Sequence, residues 1–230
     1  MTNSLTGELQ KYGYTFCRGV LDNFTLKEIT QEIEAQNYKV TRAGIRNPKI
    51  RFHSIKKLIL SPALQSITHQ FLPDKIFPVR SILFDKSADT DWGVPWHQDL
   101  TIAVQEKHEV PGFGAWTFKD KIQHVQPPVE IMERMVTLRI HLDDTDETNG
   151  ALRVIPKSHR NKRYSSKAIT EETSQCPEYL CKAKAGDVLI MKPLILHSSK
   201  KGIATGHRRI LHVEYSADEL PSPLNWLHDS

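Results

Sequence analysis

The chain has 230 residues, of which 39% are hydrophobic and 25% charged, a balance typical of one globular domain with a sizeable core. No apolar run approaches the roughly 20 residues that span a bilayer, and the first residues lack a signal-peptide pattern, so we expect a cytoplasmic protein without a membrane segment. The net charge of +4 comes from scattered basic residues, which gives no support for nucleic-acid binding.

The first part of the chain, residues 1–75, is mostly helical in pattern. Apolar residues one turn apart, among charged ones, predict a helix over 26–36 with Thr25 as its N-cap. A second helix is predicted to begin at Pro62, because proline is favoured at the first helical position. We expect these helices to support a β-sheet core over residues 76–216 within a single domain.

From residue 76 onward the pattern changes to short strands separated by turns. Strands are predicted at 77–86, 94–104, 135–142, 151–156, 188–197 and 208–215. Residues 105–131 carry several prolines and glycines and are predicted to be an irregular loop, while the polar stretch 161–180 is predicted to be a loop or short helix. Short strands behind a helical segment indicate a mainly β protein, a two-sheet jelly roll with flanking helices.

Three residues have the pattern of a metal site. His97 and Asp99 stand at i and i+2 in a predicted strand, where side chains alternate, so both point to the same face. His197 follows a hundred residues later, beyond several strands. Two histidines and one carboxylate form the facial triad that holds Fe(II) and leaves other positions open. The alternative is a buried histidine that lies beside an acidic residue by chance.

Arginine and serine residues after His197 are candidates for binding a co-substrate. Arg208 lies eleven residues after His197 on the next predicted strand, and Ser199 lies two residues after it. An arginine fork binds a carboxylate bidentately, so Arg208 is placed to hold the distal carboxylate of 2-oxoglutarate, with Ser199 as a second donor. The neighbouring Arg209 must face the other way, so only one of the two arginines can do this. A solvated basic strand end is the alternative for either.

Taken together, these motifs resemble the phytanoyl-CoA dioxygenase family of Fe(II)/2-oxoglutarate-dependent oxygenases. The matching segments are 96–99, 149–160, 186–189 and 197–208. The resemblance implies a double-stranded β-helix in which iron is bound by His97, Asp99 and His197, with Arg208 on 2-oxoglutarate and Ser199 close by. Related halogenases lack the carboxylate that Asp99 supplies, so its presence favours hydroxylation or another ordinary oxidation.

The chain departs from that family on one strand, where many members have an aromatic residue and this one has Arg139. Thr137 and Arg139 share one face of the predicted strand. If this face lines the cavity, Arg139 could meet an anionic substrate or 2-oxoglutarate; if it is solvated, it has no such role. Arg80 and Lys86, on the strand before His97, are similar candidates for the substrate site.

The loop over 105–131, which carries Trp116, His124 and Gln126, is a candidate substrate lid, on its position alone. The alternative is a disordered surface loop.

The sequence as a whole predicts an iron enzyme. We expect an Fe(II)- and 2-oxoglutarate-dependent oxygenase that uses O2 to hydroxylate a small molecule and releases succinate and CO2. Two alternatives remain open. One is a non-catalytic jelly-roll protein that binds a metal or ligand, and the other is a cupin-like metalloenzyme that does not use 2-oxoglutarate.

Overall fold

Antiparallel β-sheets with helices packed on one side make up the fold. The computed structural model describes residues 4–36, 44–73, 75–87, 92–202 and 206–227. The strands are β1 (Tyr14–Cys17), β2 (Ile45–Arg46), β3 (Phe77–Lys86), β4 (Val94–His97), β5 (Ile102–Val104), β6 (Gly114–Lys119), β7 (Ile122–Gln126), β8 (Val136–His141), β9 (Leu152–Val154), β10 (Tyr179–Leu180), β11 (Val188–Met191), β12 (His197–Ser199) and β13 (Arg208–Ser216). The helices are α1 (Leu5–Tyr12), α2 (Asn23–Ala35), α3 (His53–Ile59), α4 (Pro62–Thr68), α5 (Val129–Glu133) and α6 (Ser166–Gln175).

The strands form a large sheet, a small sheet and a separate three-stranded sheet. The large sheet has the order β1-β11-β8-β13-β3-β2, the small sheet has the order β10-β9-β12-β4, and the third has the order β5-β7-β6. From β3 onward the chain passes repeatedly between the large and small sheets, apart from the excursion into the third. Leu152 and Val154 of the small sheet pack against Leu189 and Met191 of the large one. This is a double-stranded β-helix, and the predicted jelly roll is confirmed.

Side chains alternate in direction along the strands of the large sheet, and this alternation separates the hydrophobic core from the cavity. On β13, Leu211 and Val213 point outward and pack against apolar residues of the helices, such as Ile29 and Ile33 of α2. His212, which lies between them, points inward toward the small sheet and lines the cavity. The helices therefore cover one face of the large sheet, and the polar residues are concentrated on the other.

The helix boundaries match the sequence patterns in part. α4 begins at Pro62, as predicted, and Ser61 caps it. α2 begins three residues earlier than predicted, because the carboxylate of Asp22 accepts a hydrogen bond from the Thr25 amide at 2.7 Å. Asp22 is therefore the N-cap, and the assignment of this role to Thr25 was wrong. Among the described helices, none has the length and apolar character needed to cross a membrane.

Three regions differ from the predicted elements. β1 lies in the part predicted to be mostly helical, and it forms the edge of the large sheet by pairing with β11. Residues 105–131, predicted to be irregular, contain a β-hairpin of β6 and β7. Its turn uses Asp120 and Lys121 at positive φ, so it lacks the glycine signal that identifies such turns in a sequence. The predicted strand over 188–197 is divided between the two sheets, since Pro193 and its neighbours cross from β11 to β12.

Candidate metal centre

His97 and His197 are brought together by sheet register. They are Cα partners on the paired strands β4 and β12, and their ring centroids are 4.2 Å apart. Each Nδ1 lies within hydrogen-bond distance of a backbone carbonyl two residues earlier, at 2.8 Å for His97 and 2.9 Å for His197. A carbonyl only accepts, so each Nδ1 carries the proton and each Nε2 keeps its lone pair for a metal ion.

Asp99 completes the cluster from outside the sheet. Its Oδ2 lies 3.7 Å from Nε2 of His197, and the ligand atoms of His97, Asp99 and His197 all lie within 4.8 Å of one another. β4 ends at His97, so the prediction that Asp99 shares its strand was wrong. The Asp99 amide instead donates to the carbonyl of Pro193 at 3.1 Å, which turns the carboxylate toward the histidines.

Gln98, between the two ligand candidates, anchors this segment. Its Nε2 donates to the carbonyl of Leu194 at 2.6 Å, and its Oε1 accepts from the Tyr164 amide at 2.9 Å. The side chain is buried and is fixed on both sides. Sequence reasoning did not assign this residue a role; its place between His97 and Asp99 is the only signal that could have identified it.

The charge states of the cluster suit a divalent metal. Burial opposes ionisation of Asp99, but attraction to His197, His212 and Arg80 outweighs it and holds the pKa of the carboxyl below its usual range. Burial, with the nearby His97, lowers the pKa of His197 to about 3. The carboxyl is therefore ionised and His197 neutral near pH 7, which are the forms that bind metal ions.

A second group of potential ligands shares Asp99. The ligand atoms of Asp99, His212 and Glu214 also lie within 4.8 Å of one another. However, Glu214 Oε1 lies 2.6 Å from Arg80 Nη2, and His212 Nδ1 lies 3.0 Å from Arg139 Nη1. Arginine cations already use these two atoms and would repel a metal ion, so the geometry favours the first group. Sequence reasoning missed His212 and Glu214, although both follow the inward alternation of β13 from Arg208.

A cavity of about 370 Å³ opens beside the triad, within the range of small-molecule sites. Its charged lining residues are Arg46, Arg80, Lys86, Asp99, Lys119, Arg139 and Arg208. Six of these are cationic and one is anionic. The cavity therefore combines a candidate metal site with a strongly positive wall.

The two adjacent arginines of β13 have different surroundings. Arg208 lines the cavity and is the Cα partner of Lys86 on β3. Arg209 points to the other face, where its Nε and Nη2 bond to Asp143 and its Nη1 bonds to Glu34, each at 2.8 Å. Of the two arginines, Arg208 is therefore the one that lines the cavity, and its binding of 2-oxoglutarate stays a prediction.

Ser199 and Lys86 lie together at the same end of the cavity as Arg208. Lys86 Nζ donates to Ser199 Oγ at 3.2 Å, and both residues line the cavity. Two cations and a hydroxyl thus converge at one corner, which is an arrangement that can bind a carboxylate.

The other predicted substrate residues are placed unequally. Arg80 and Arg139 line the cavity, whereas Thr137 and Trp116 are not among the described lining residues. Thr137 is fully buried in β8, so the alternative that its face is solvated was wrong. Trp116 packs on a separate hydrophobic cluster beside the hairpin, and the hairpin reaches the cavity through Lys119 instead.

Comparisons with known proteins identify the family of this chain and support its fold. The sequence matches the family model described as phytanoyl-CoA dioxygenase (PhyH) over residues 9–210. It is 24% identical over 204 residues to a "probable alpha-ketoglutarate-dependent hypophosphite dioxygenase" from Stutzerimonas stutzeri, covering 82% of this chain and 62% of the relative. The chain thus spans less than two thirds of that relative's length.

Two solved structures share the fold. AviO1 from Streptomyces viridochromogenes Tue57 matches with a TM-score of 0.68 and 18% identity, covering 94% of this chain and 95% of that one. HygX from Streptomyces hygroscopicus, solved with nickel and 2-oxoglutarate bound, matches with a TM-score of 0.69 and 14% identity, covering 99% of this chain and 90% of that one. At such identities the likeness shows the double-stranded β-helix and no more.

Proposed function

This chain belongs to the phytanoyl-CoA dioxygenase family, and from that membership and its cavity we propose that it is an Fe(II)- and 2-oxoglutarate-dependent oxygenase that hydroxylates a small molecule. The observation that carries the proposal is the convergence of His97, Asp99 and His197 beside a cavity that Arg208 also lines. The relative named as an alpha-ketoglutarate-dependent dioxygenase supports it.

The donor set fits the metal. Asp99 Oδ2 is buried and has no hydrogen-bond partner among the described residues, and it points toward the Nε2 of His197. Two neutral imidazoles and one carboxylate make the facial set typical of non-haem Fe(II) oxygenases. Fe(II) bound there, with 2-oxoglutarate and O2, would supply the oxidising chemistry and yield succinate and CO2.

The protein's own residues bind and orient the reactants. Arg208 would hold the distal carboxylate of 2-oxoglutarate by charge-assisted hydrogen bonds, with the Ser199 hydroxyl as a second donor. The Lys86 ammonium donates to Ser199 and to the backbone carbonyls of Trp92 and Lys200, so it would contribute its charge rather than a hydrogen bond. Ile82 and Phe84, on the same face of β3 as Lys86, are apolar parts of the cavity wall and would restrict water there. Orientation and exclusion of water are the contributions that a protein makes to such a centre.

We also propose that the substrate is a small anion. The cavity has six cationic lining residues against the single carboxylate of Asp99. The bacterial relative is named for hypophosphite, which is itself an inorganic anion. A positive cavity raises the local concentration of anions and speeds their entry.

Anaerobic titration of Fe(II) into the protein with 2-oxoglutarate tests the proposal. A keto acid that chelates a facial-triad iron gives a visible charge-transfer band, which we expect here. The band should vanish in His97→Ala and require more 2-oxoglutarate in Arg208→Gln. Iron binding without any band would overturn the use of 2-oxoglutarate and favour a cupin-like enzyme or a metal-binding protein.

A further inference from the structure

The buried side chain of Arg139 points to the part of the substrate that this cavity recognises. We propose that its guanidinium binds an oxyanion group of the substrate, a carboxylate or a phosphorus oxyanion, beside the metal centre. This assignment rests on the proposed oxygenase function and adds to it the residue that selects the substrate.

Arg139 has the position that such a role requires. It lies on the inward face of β8 at the centre of the large sheet, lines the cavity, and is only 6% exposed. Its guanidinium carbon lies 5.6 Å from the ring centroid of Phe84, which also lines the cavity. It is therefore a fixed part of the cavity wall, in contrast to Lys119, which is exposed on the hairpin.

The surroundings of Arg139 lack a counter-ion. Among the described residues, no carboxylate oxygen lies within the 4.0 Å of an ion pair, whereas Arg80 has Glu214 at 2.6 Å and Arg46 has Asp120 at 2.8 Å. The Nε of Arg139 is buried and has no hydrogen-bond partner among those residues. An uncompensated buried charge is costly, so an anion that enters the cavity would relieve that cost. Burial lowers the pKa of Arg139, and the more distant Asp99 carboxylate opposes this effect only in part.

The hydrogen-bond partner of Arg139 is the side chain of His212. A guanidinium only donates, so His212 Nδ1 must accept from Arg139 Nη1 at 3.0 Å, and the imidazole proton then lies on Nε2. That proton is donated to Glu214 Oε1 at 3.2 Å, and Arg80 holds the same carboxylate. This chain of contacts braces the guanidinium in one orientation before any ligand arrives, without neutralising its charge.

The other buried cations of the cavity have an assigned anion, so Arg139 is the one that remains to bind the substrate. Arg208 and Lys86 are at the corner assigned to 2-oxoglutarate, while Arg80 and Arg46 have carboxylate partners. Among the described residues that line the cavity, Asp99 is the only acidic one, and a metal ion would take up its charge. Arg139 thus remains as the buried cation near the triad without an anion to match it.

Calorimetric titration of oxyanions tests this inference. The protein is first loaded with Ni(II) and 2-oxoglutarate, so that the Arg208 corner is occupied and no turnover occurs. Inorganic phosphate and acetate are then the probes, with acetamide as the neutral isostere of acetate, at low ionic strength. We expect saturable binding of at least one oxyanion and none of acetamide. In Arg139→Gln the oxyanion dissociation constant should rise about tenfold or more, while that of 2-oxoglutarate changes less than about twofold.

Matched variants separate the possible outcomes. Arg139→Lys keeps the charge and should recover part of the oxyanion affinity, and it also serves if Arg139→Gln fails to fold. Arg153→Gln removes an equal charge from β9 at a residue outside the cavity lining and should leave oxyanion binding unchanged.

Loss of 2-oxoglutarate affinity in Arg139→Gln, with oxyanion binding intact, would overturn the assignment and make Arg139 a co-substrate residue. Absence of oxyanion binding to protein that still binds Ni(II) and 2-oxoglutarate would overturn it and leave the oxygenase proposal standing. Failure to bind 2-oxoglutarate at all would overturn both.

Discussion

The rings of His97 and His197 lie side by side on two hydrogen-bonded strands, with their centroids 4.2 Å apart and their planes tilted by 52°. The relation is set by the register of β4 against β12, so the backbone ladder positions two of the three candidate ligands. Sites built on strands hold their geometry more precisely than sites on loops. Asp99 alone depends on a non-strand segment, and it is therefore the ligand whose substitution tests the centre most directly.

Substitution of Asp99→Ala should abolish tight metal binding. Two imidazoles would remain without an anionic ligand, so we expect the Fe(II) dissociation constant to rise by more than about tenfold, the scale seen even for outer-shell changes. Anaerobic calorimetry measures the affinity, and succinate formation measures the activity. A variant that kept full iron-dependent turnover would contradict the triad.

The neighbouring arginines of β13 form a matched pair of variants. Arg208→Gln should raise the KM for 2-oxoglutarate about tenfold or more, because a charge-assisted contact of roughly 1.5–3 kcal/mol is lost. Arg209→Gln should leave that KM unchanged but lower the stability, because Asp143 loses its partner on the opposite face. Initial rates over a range of 2-oxoglutarate concentrations, with thermal melts, distinguish the two; the reverse pattern would assign the co-substrate to Arg209.

The sequence contained enough to predict that three candidate metal ligands come together, but not the residues that brace them. His97, Asp99 and His197 have a recognisable spacing, and the Asn149-Gly150 pair marks a turn in which Gly150 has a φ of +77°. Contacts such as that of Glu214 with Arg80 join strands far apart in the chain, and alternation alone does not identify their partners.

Other elements lacked a local signal altogether. The hairpin of β6 and β7 turns at Asp120 and Lys121, which adopt positive φ without glycine. Strand β1 has four residues and owes its conformation to pairing with β11, so tertiary contacts override its local pattern. Trp116 was predicted at the cavity from its place in a loop, but side-chain direction in a hairpin follows from the register, which the sequence did not specify.

Glu214→Gln should weaken both the fold and the metal site. Glu214 is fully buried and binds Arg80, whose Nη2 also lies 3.7 Å from Asp99 Oδ1. Breaking a buried ion pair costs about 3–5 kcal/mol. Without Glu214 as its partner, Arg80 would form an ion pair with the Asp99 carboxylate and compete with the metal ion for that ligand. We expect a lower melting temperature and a weaker Fe(II) affinity.

A double variant separates stability from metal binding. In Arg80→Met/Glu214→Leu both charges are absent, so most of the stability should return, because replacing a buried ion pair with apolar residues is often neutral. Fe(II) affinity should then no longer suffer from competition by Arg80. If the double variant recovered stability but bound Fe(II) as weakly as Glu214→Gln, competition by Arg80 would not be the cause.

The stability of the protein should fall as the pH drops below the ordinary pKa of histidine. Burial, together with the nearby charge of Arg139, lowers the pKa of His141 from 6.5 to about 3. The unfolded chain therefore binds this proton more readily than the folded one. The contribution of neutral His141 is fully present above pH 6.5 and is lost progressively as the pH falls toward 3.

Between pH 6.5 and 5, His141 alone should lower the free energy of unfolding by up to about 2 kcal/mol. His197 and His124, whose pKa values burial lowers to about 3 and about 4, act in the same direction, so the decline should be steeper than one group produces. In His141→Leu the hydrogen bond to the Asp187 carbonyl is lost, which lowers stability at pH 7.5, but the decline on acidification should be shallower. Urea unfolding of both proteins at pH 7.5, 6 and 5 measures this difference, and parallel declines would mean that His141 is protonated within the folded protein.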